Sequence, residues 1–382
     1  MISIKAQRIK PFIVMEVLER ASFLEKQGKN IIHLEVGEPD FDVPSCVLKA
    51  SEMALKQGHT HYTHSLGDPE LRQEICNNYL KNYNVCISPD QIIVTSGTSP
   101  AILMVLYALC NPEDEIILSD PGYACYPNFI SLSGAKMVKV PVYEEDGFQY
   151  RPENISAAIT ERTKAIIINS PMNPTGNLLS PETLKSIARL SPPIISDEIY
   201  HGLVYDGQAH SILEYTRNAF VLNGFSKLYA MTGLRLGYVI APDEFVRPIQ
   251  KLQQNLFICA SSVAQRAGIA ALKEADADVE HMKNIYNERR IYMISRLREL
   301  GFRITVEPTG AFYVFVDARH LSFDSYKLAF DILEKAHVGV TPGIDFGENG
   351  EGYLRFSYAN SLENIMEGLN RLERYIQEFN GL

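Results

Sequence analysis

The chain has 382 residues, 46% hydrophobic and 21% charged, an ordinary globular composition that is long enough for two domains or for one large domain with a smaller one attached. Its net charge of −10 argues against nucleic acid or anionic membrane as the main partner, but a local Arg or a helix N-terminus can still hold a small anion. Six cysteines (Cys46, Cys76, Cys86, Cys110, Cys125, Cys259) show neither a C-x-x-C pair nor zinc-like spacing, so buried free thiols and no metal site are expected. The first eight residues lack the apolar core of a secretory signal, and no run approaches the roughly 20 apolar residues of a membrane span. A cytoplasmic protein is expected.

In chain order, residues 12–28 carry Ile13, Val14, Val17, Leu18, Ala21 and Leu24 at helical spacing. Residues 31–41 read as a strand ending in a turn at Gly37 to Asp40, with His33 a structural strand residue. Helical patterns at 44–57 and 71–83 enclose a polar, aromatic loop around Tyr62. From Ile92 the texture alternates. Short apolar strands are predicted at 92–95, 115–119, 136–142, 165–169, 193–196, 220–222 and 238–241. Helices at 99–110, 125–132, 155–160 and 181–190 lie between most of them, the last with Ser180 as N-cap and Pro181 at its first position. Strands that are apolar throughout belong to a sheet covered on both faces. The fold class is therefore α/β, with a mostly parallel seven-stranded sheet flanked by helices.

Long helices are predicted at 243–272 and 277–300, followed by a strand pair, 302–306 with 311–316, about a turn at Pro308 to Gly310. A helix at 325–336 and strands at 338–341 and 352–358 precede a final helix bearing Leu362, Ile365, Met366, Leu369, Leu372, Ile376 and Phe379 on one face. The expected division is a large domain, 46–280, and a smaller α+β domain formed by both chain ends, 1–45 and 281–382.

Five stretches could carry chemistry. In Asn223-Gly-Phe-Ser226-Lys227 with Gly233-Leu-Arg235-Leu-Gly237, Lys227 stands among Phe225, Leu228, Tyr229 and Met231. Desolvation there would lower its pKa and make it a usable nucleophile, and Arg235 among glycines suits phosphate. Ser96-Gly-Thr98-Ser99 joins a strand to a helix start, where free N–H groups and hydroxyls can cradle an anion; a plain capped turn is the alternative. It is neither the dinucleotide nor the P-loop pattern. Asn169-Ser-Pro-Met-Asn173-Pro-Thr-Gly176 follows a strand, and Asn173 is either a turn residue or an amide aimed at a ligand. Asp197, with Tyr200 three residues on, ends an apolar strand as a cap or as a buried partner for a cation. Arg355 lies within a strand, on a solvated face or bidentate to a substrate carboxylate.

Taken in order, these motifs resemble the pyridoxal-phosphate aminotransferases of fold type I. Leu34-Glu-Val-Gly-Glu-Pro-Asp-Phe41 and Asn223 to Gly233 resemble more narrowly the aspartate and aromatic branch of class I/II. The resemblance implies a Lys227 Schiff base to the cofactor, with Lys227 then moving a proton, and transfer of an amino group from an L-amino acid to a 2-oxo acid by a ping-pong route. It implies that Asp197 pairs with the pyridine nitrogen and that Tyr200 and Asn173 bond the ring's phenolic oxygen. Tyr123 would stack on the ring. Arg235, Thr98 and Ser99 would hold the phosphate, with Ser226 beside them in the cofactor set. It places Tyr62 at the phosphate of the partner subunit, hence a homodimer with shared sites, and gives the substrate to Arg355, Gly37 and Asn173.

Three positions depart from the pattern: Gly224 where many relatives have Ser, Tyr123 where some have Trp, and Leu234 where Trp is frequent. A carbon–sulfur β-lyase on the same fold is the enzyme alternative. A non-catalytic ligand-sensing domain is the alternative from another class, and it would need a DNA-binding region and basic patch that this chain lacks.

Overall fold

A strand covered on both faces sends alternate side chains into two different cores, and the interior of this protein's large sheet is built that way. The structure is a computed structural model describing residues 2–379, Phe379 by its backbone alone. The chain ends at residues 1 and 380–382, and the Phe379 side chain expected on the last helix, lie outside the described residues.

After a two-residue strand, β1 (Ile32–His33), come β2 (Ile92–Thr95), β3 (Glu115–Asp120), β4 (Lys136–Pro141), β5 (Thr163–Asn169), β6 (Ile194–Asp197), β7 (Ala219–Gly224) and β8 (Gly237–Ile240). The last seven form one sheet in the order β2-β8-β7-β6-β5-β3-β4. Every pairing is parallel except the two made by β8. Ile92, Val94, Ile117, Ile166, Ile168, Ile194 and Val221 enter one core, while Ile93, Ile116, Ile167, Ile195, Phe220 and Val239 enter the other. Each such side chain contributes about 1.5–3 kcal/mol by burial, which outweighs the weak propensity of four-residue strands. Ser180 caps helix Pro181–Ile187, accepting from Thr183 N.

A separate core gathers around β9 (Tyr313–Asp317), β10 (Val338–Gly339), β11 (Thr341–Pro342) and β12 (Tyr353–Ser357). These form a three-stranded antiparallel sheet β11-β12-β9 and a parallel pair β1-β10. Helices Asp276–Glu299, Ser325–Ala336 and Leu362–Phe379 cover them. The last helix buries Ile365, Leu369, Leu372 and Tyr375, whereas Leu362 and Met366, expected on the same face, stay exposed.

Several predicted elements differ. Residues 34–41 are not strand: the Glu35 carbonyl accepts from the Thr341 and Arg355 side chains instead of a ladder partner. The helix expected over 243–272 is two, Asp243–Leu256 and Ser262–Glu274, because Ser261 caps a new start by accepting from Ala264 N. The hairpin expected of 302–306 with 311–316 is reduced to a single antiparallel bridge, Arg303 with Asp317. Its turn donates outward, Thr309 N and Gly310 N both to Gly176 O, and β9 pairs with β12. The six cysteines are unpaired, but only Cys76 is buried and Cys86 is exposed. Among the described residues no helix is long and apolar enough to cross a membrane, and no group of His, Cys, Asp or Glu could hold a metal.

Candidate active site

Parallel strands present their carboxyl ends on one edge of a sheet, and in α/β proteins that edge is where ligands sit. Here Thr98 and Ser99 beyond β2, Asn169 of β5, Asp197 of β6 and Leu222 of β7 all line one cavity of about 340 Å³. Lys227 enters it from the loop after β7, its Nζ donating to the Gly37 carbonyl at 2.6 Å. Burial pushes the Lys227 amine down from 10.5 to about 8; Glu38 and Asp197 oppose the shift, and the positive Arg355 and Arg235 add to it. Asp197 is buried, with Oδ2 accepting from the Tyr126 hydroxyl at 2.8 Å and Oδ1 from Ile199 N at 3.2 Å. Burial raises its carboxyl to about 6, against those two bonds and the Lys227 charge.

At one end of the cavity, helix Thr98–Leu109 starts without a side-chain cap, so its first N–H groups are free. Gly97 precedes it at φ +97°, and a Cβ there would lie 2.5 Å from an Arg235 nitrogen. Arg235 is itself left-handed at φ +53°, a conformation uncommon outside glycine, and donates to Thr232 O at 2.9 Å. Guanidinium and helix start converge on a positively charged, partly open cradle.

At the other end Arg355, in the middle of β12, is 2% exposed. It donates to Asn173 Oδ1 at 2.9 Å, to Glu35 O at 2.6 Å and to Thr341 Oγ1 at 3.1 Å, and lies 4.2 Å over the Tyr313 ring. Its Nε is buried without a partner. Asn173 N donates to Asn169 Oδ1, and Asn169 donates to the Asp197 carbonyl, which ties the Arg355 end to Asp197. The Tyr200 and Tyr313 hydroxyls bond at 2.8 Å, and a Cβ at Gly37 would collide with the latter.

The aminotransferase class I and II family model matches residues 29–372. The chain belongs to this family. It is 41% identical to the (5-formylfuran-3-yl)methyl phosphate transaminase of Methanocaldococcus jannaschii over 99% of this chain and 100% of that one. It is 38% identical to the aspartate aminotransferase of Pyrococcus horikoshii over 97% of this chain and 95% of that one. A double mutant of the Thermus thermophilus aspartate aminotransferase superposes with a TM-score of 0.94 at 36% identity, covering 98% of this chain and 99% of that one. The enzyme is an aminotransferase: it transfers an amino group from an amino acid to a 2-oxo acid.

Of the site residues expected from the sequence of this aminotransferase, the cavity brings together Lys227, Ser226, Asp197, Tyr200, Asn173 and Tyr123 with the two arginines, Gly37, Thr98 and Ser99. Tyr62 lies outside it and is 78% exposed. Sequence reasoning missed Tyr126, Tyr313 and Asn169. Asn169 stands inside a motif already singled out, whereas Tyr126 falls in a predicted helix and Tyr313 in a predicted strand, neither with a charge to mark it. His33 is a strand residue, bonded through Nδ1 to the buried Glu35 at 2.7 Å, which holds the imidazole's pKa up at about 9.

Proposed function

We propose that this aminotransferase uses pyridoxal phosphate, held as a Schiff base by Lys227, in a ping-pong exchange between an L-amino acid and a 2-oxo acid. The observation that carries the reading is an enclosed amine of lowered pKa placed in one cavity with a buried carboxylate and two arginines at its ends. The residues fit the cofactor. Gly97 leaves the room that lets Arg235 and the free N–H groups of Thr98 and Ser99 receive a phosphate. Asp197 would face the pyridine nitrogen and keep it protonated, Tyr123 would cover the ring, Tyr200 and Asn173 would reach its phenolic oxygen, and Ser226 would stand beside Lys227.

When bound, the cofactor supplies a carbonyl that condenses with amines and a ring that takes up the electron pair left at Cα. The chain does the rest. Arg355 binds the substrate's α-carboxylate, for which its unpartnered Nε is free, and with the backbone of Gly37 and the amide of Asn173 fixes the orientation of Cα. Lys227 Nζ, neutral in part near neutral pH, takes the proton from Cα and returns it.

Tyr62 serves the partner's site in a homodimer; its exposure and its place outside the cavity lining of its own chain support this. The domain division is 46–280 against both chain ends, supported by Ile32 and Leu34 sharing one core with Met282, Phe312, Leu354 and Leu369. The enzyme works in the cytoplasm, which suits six unpaired cysteines.

Reduction of the protein–cofactor adduct with borohydride, followed by peptide mass mapping, should place the pyridoxyl mass on the peptide containing Lys227. The Lys227→Ala protein should take no label there. A label on another lysine, or none at all, would sink the assignment.

A further inference from the structure

The cavity around Lys227 has an apolar side. Phe12, Met15 and Leu18, spaced three residues apart along the N-terminal helix Ile13–Lys26 and the residue before it, line the cavity, and Phe129 lines it from helix Tyr126–Ser133. Phe12 packs edge-on against Tyr123, with ring centroids 6.2 Å apart. Among the described residues the cations that line the cavity are Lys227, Arg235 and Arg355, and the reading above gives each of them a task. The other charged groups there are the carboxylates of Asp197 and Glu38.

A partner's Tyr62 would bring no lysine or arginine with it. Residues 57–66, which carry Tyr62, have His59, His61 and His64 as their basic side chains and hold no Lys or Arg. Neither do residues 255–263, which bond to that segment through Ser262 Oγ donating to His59 O and Cys259 Sγ accepting from Thr63 N. Leu256, Phe257 and Ile258, exposed beside it, are apolar.

We infer that the amino acid this enzyme prefers carries an uncharged, bulky apolar side chain, aromatic or branched aliphatic, seated against Phe12, Met15 and Leu18. The inference rests on the proposed reading of Arg355 as the α-carboxylate site and of Arg235 as the phosphate site. A side chain ending in a carboxylate would meet no free cation and would share the cavity with Glu38, so its desolvation goes uncompensated. An apolar side chain gains from the same wall by leaving water.

The test uses the holoenzyme with its cofactor, mixed separately with phenylalanine, leucine, alanine, aspartate and glutamate. Conversion of the cofactor to its amine form is followed by absorbance. Phenylalanine and leucine should react with second-order constants at least about ten-fold above those of aspartate and glutamate, and Phe12→Ala and Leu18→Ala should each lower the phenylalanine-to-alanine ratio about ten-fold. Within one variant that ratio is independent of how much protein has folded. Aspartate or glutamate reacting as fast as phenylalanine, or a ratio unmoved by both variants, overturns the inference and leaves amino transfer through Lys227 standing. Conversion by none of the five overturns both.

Discussion

Lys227 shows how much one residue owes to its surroundings. An amine at the ordinary lysine value of 10.5 is almost wholly protonated near neutral pH and cannot attack a carbonyl. At about 8, roughly a tenth of it is neutral at about pH 7. Cofactor-free enzyme mixed with pyridoxal phosphate should therefore gain its Schiff-base absorbance about ten-fold faster near pH 9 than near pH 7, and the rate should level off above that. A rate still climbing through about pH 10 would mean an unshifted lysine. The sign for stability follows from the same shift. The folded chain holds this proton less tightly than the unfolded one, so a protonated Lys227 costs stability below about 8, and that cost fades as pH rises toward 10.5. At this scale the sequence is legible where a charge interrupts an apolar run, as at Lys227, Asp197 and Arg355. Tyr126 and Tyr313 were not legible. In a chain with 20 tyrosines the residue type marks nothing, and only the fold shows that one bonds Asp197 and the other lies under Arg355.

The N-terminal helix is the element that joins fold to specificity. Periodicity alone located it, since Val14, Val17, Ala21 and Leu24 form its buried stripe. Its cap could not be read from nearby sequence: Phe12 offers no acceptor, and the half-buried Asp345, more than 300 residues on, accepts from Ile13 N at 3.0 Å and Val14 N at 3.2 Å. Long-range caps leave no local signal, and the same holds for the turn at Pro308 to Gly310, whose donors go to Gly176 rather than across a hairpin. Asp345→Ala should cost about 1 kcal/mol of stability, the usual worth of a lost cap. Because Phe12, Met15 and Leu18 ride on this helix, the substitution should also raise KM for the preferred amino acid more than it lowers kcat. Calorimetry and steady-state kinetics check the two parts. An unchanged KM would mean that the helix keeps its place without the cap.

For the whole molecule the sheet was the most legible feature, because burial on both faces forces apolar runs in its interior strands, while the edge strand β4, with Lys136 and Lys139 exposed, keeps only part of that pattern. How many chains make one working site is another matter, since a single sequence shows exposed and interfacial residues alike. Tyr62 stands at that boundary, 78% exposed on its own chain and outside the cavity. If it binds the partner's phosphate, Tyr62→Ala should weaken cofactor retention about ten-fold or more, the worth of a hydrogen bond to a charged group. Complementation decides which chain it serves. In a dimer of one Lys227→Ala chain and one Tyr62→Ala chain, shared sites would place the intact Lys227 and the intact Tyr62 together in one site and both substitutions in the other. Refolding the two variants together should then restore about a quarter of the native activity at limiting cofactor, because half of the dimers are mixed and each has one whole site. If Tyr62 serves its own chain, every site in the mixture keeps one defect, and the mixture shows no more than the average of the two variants measured alone.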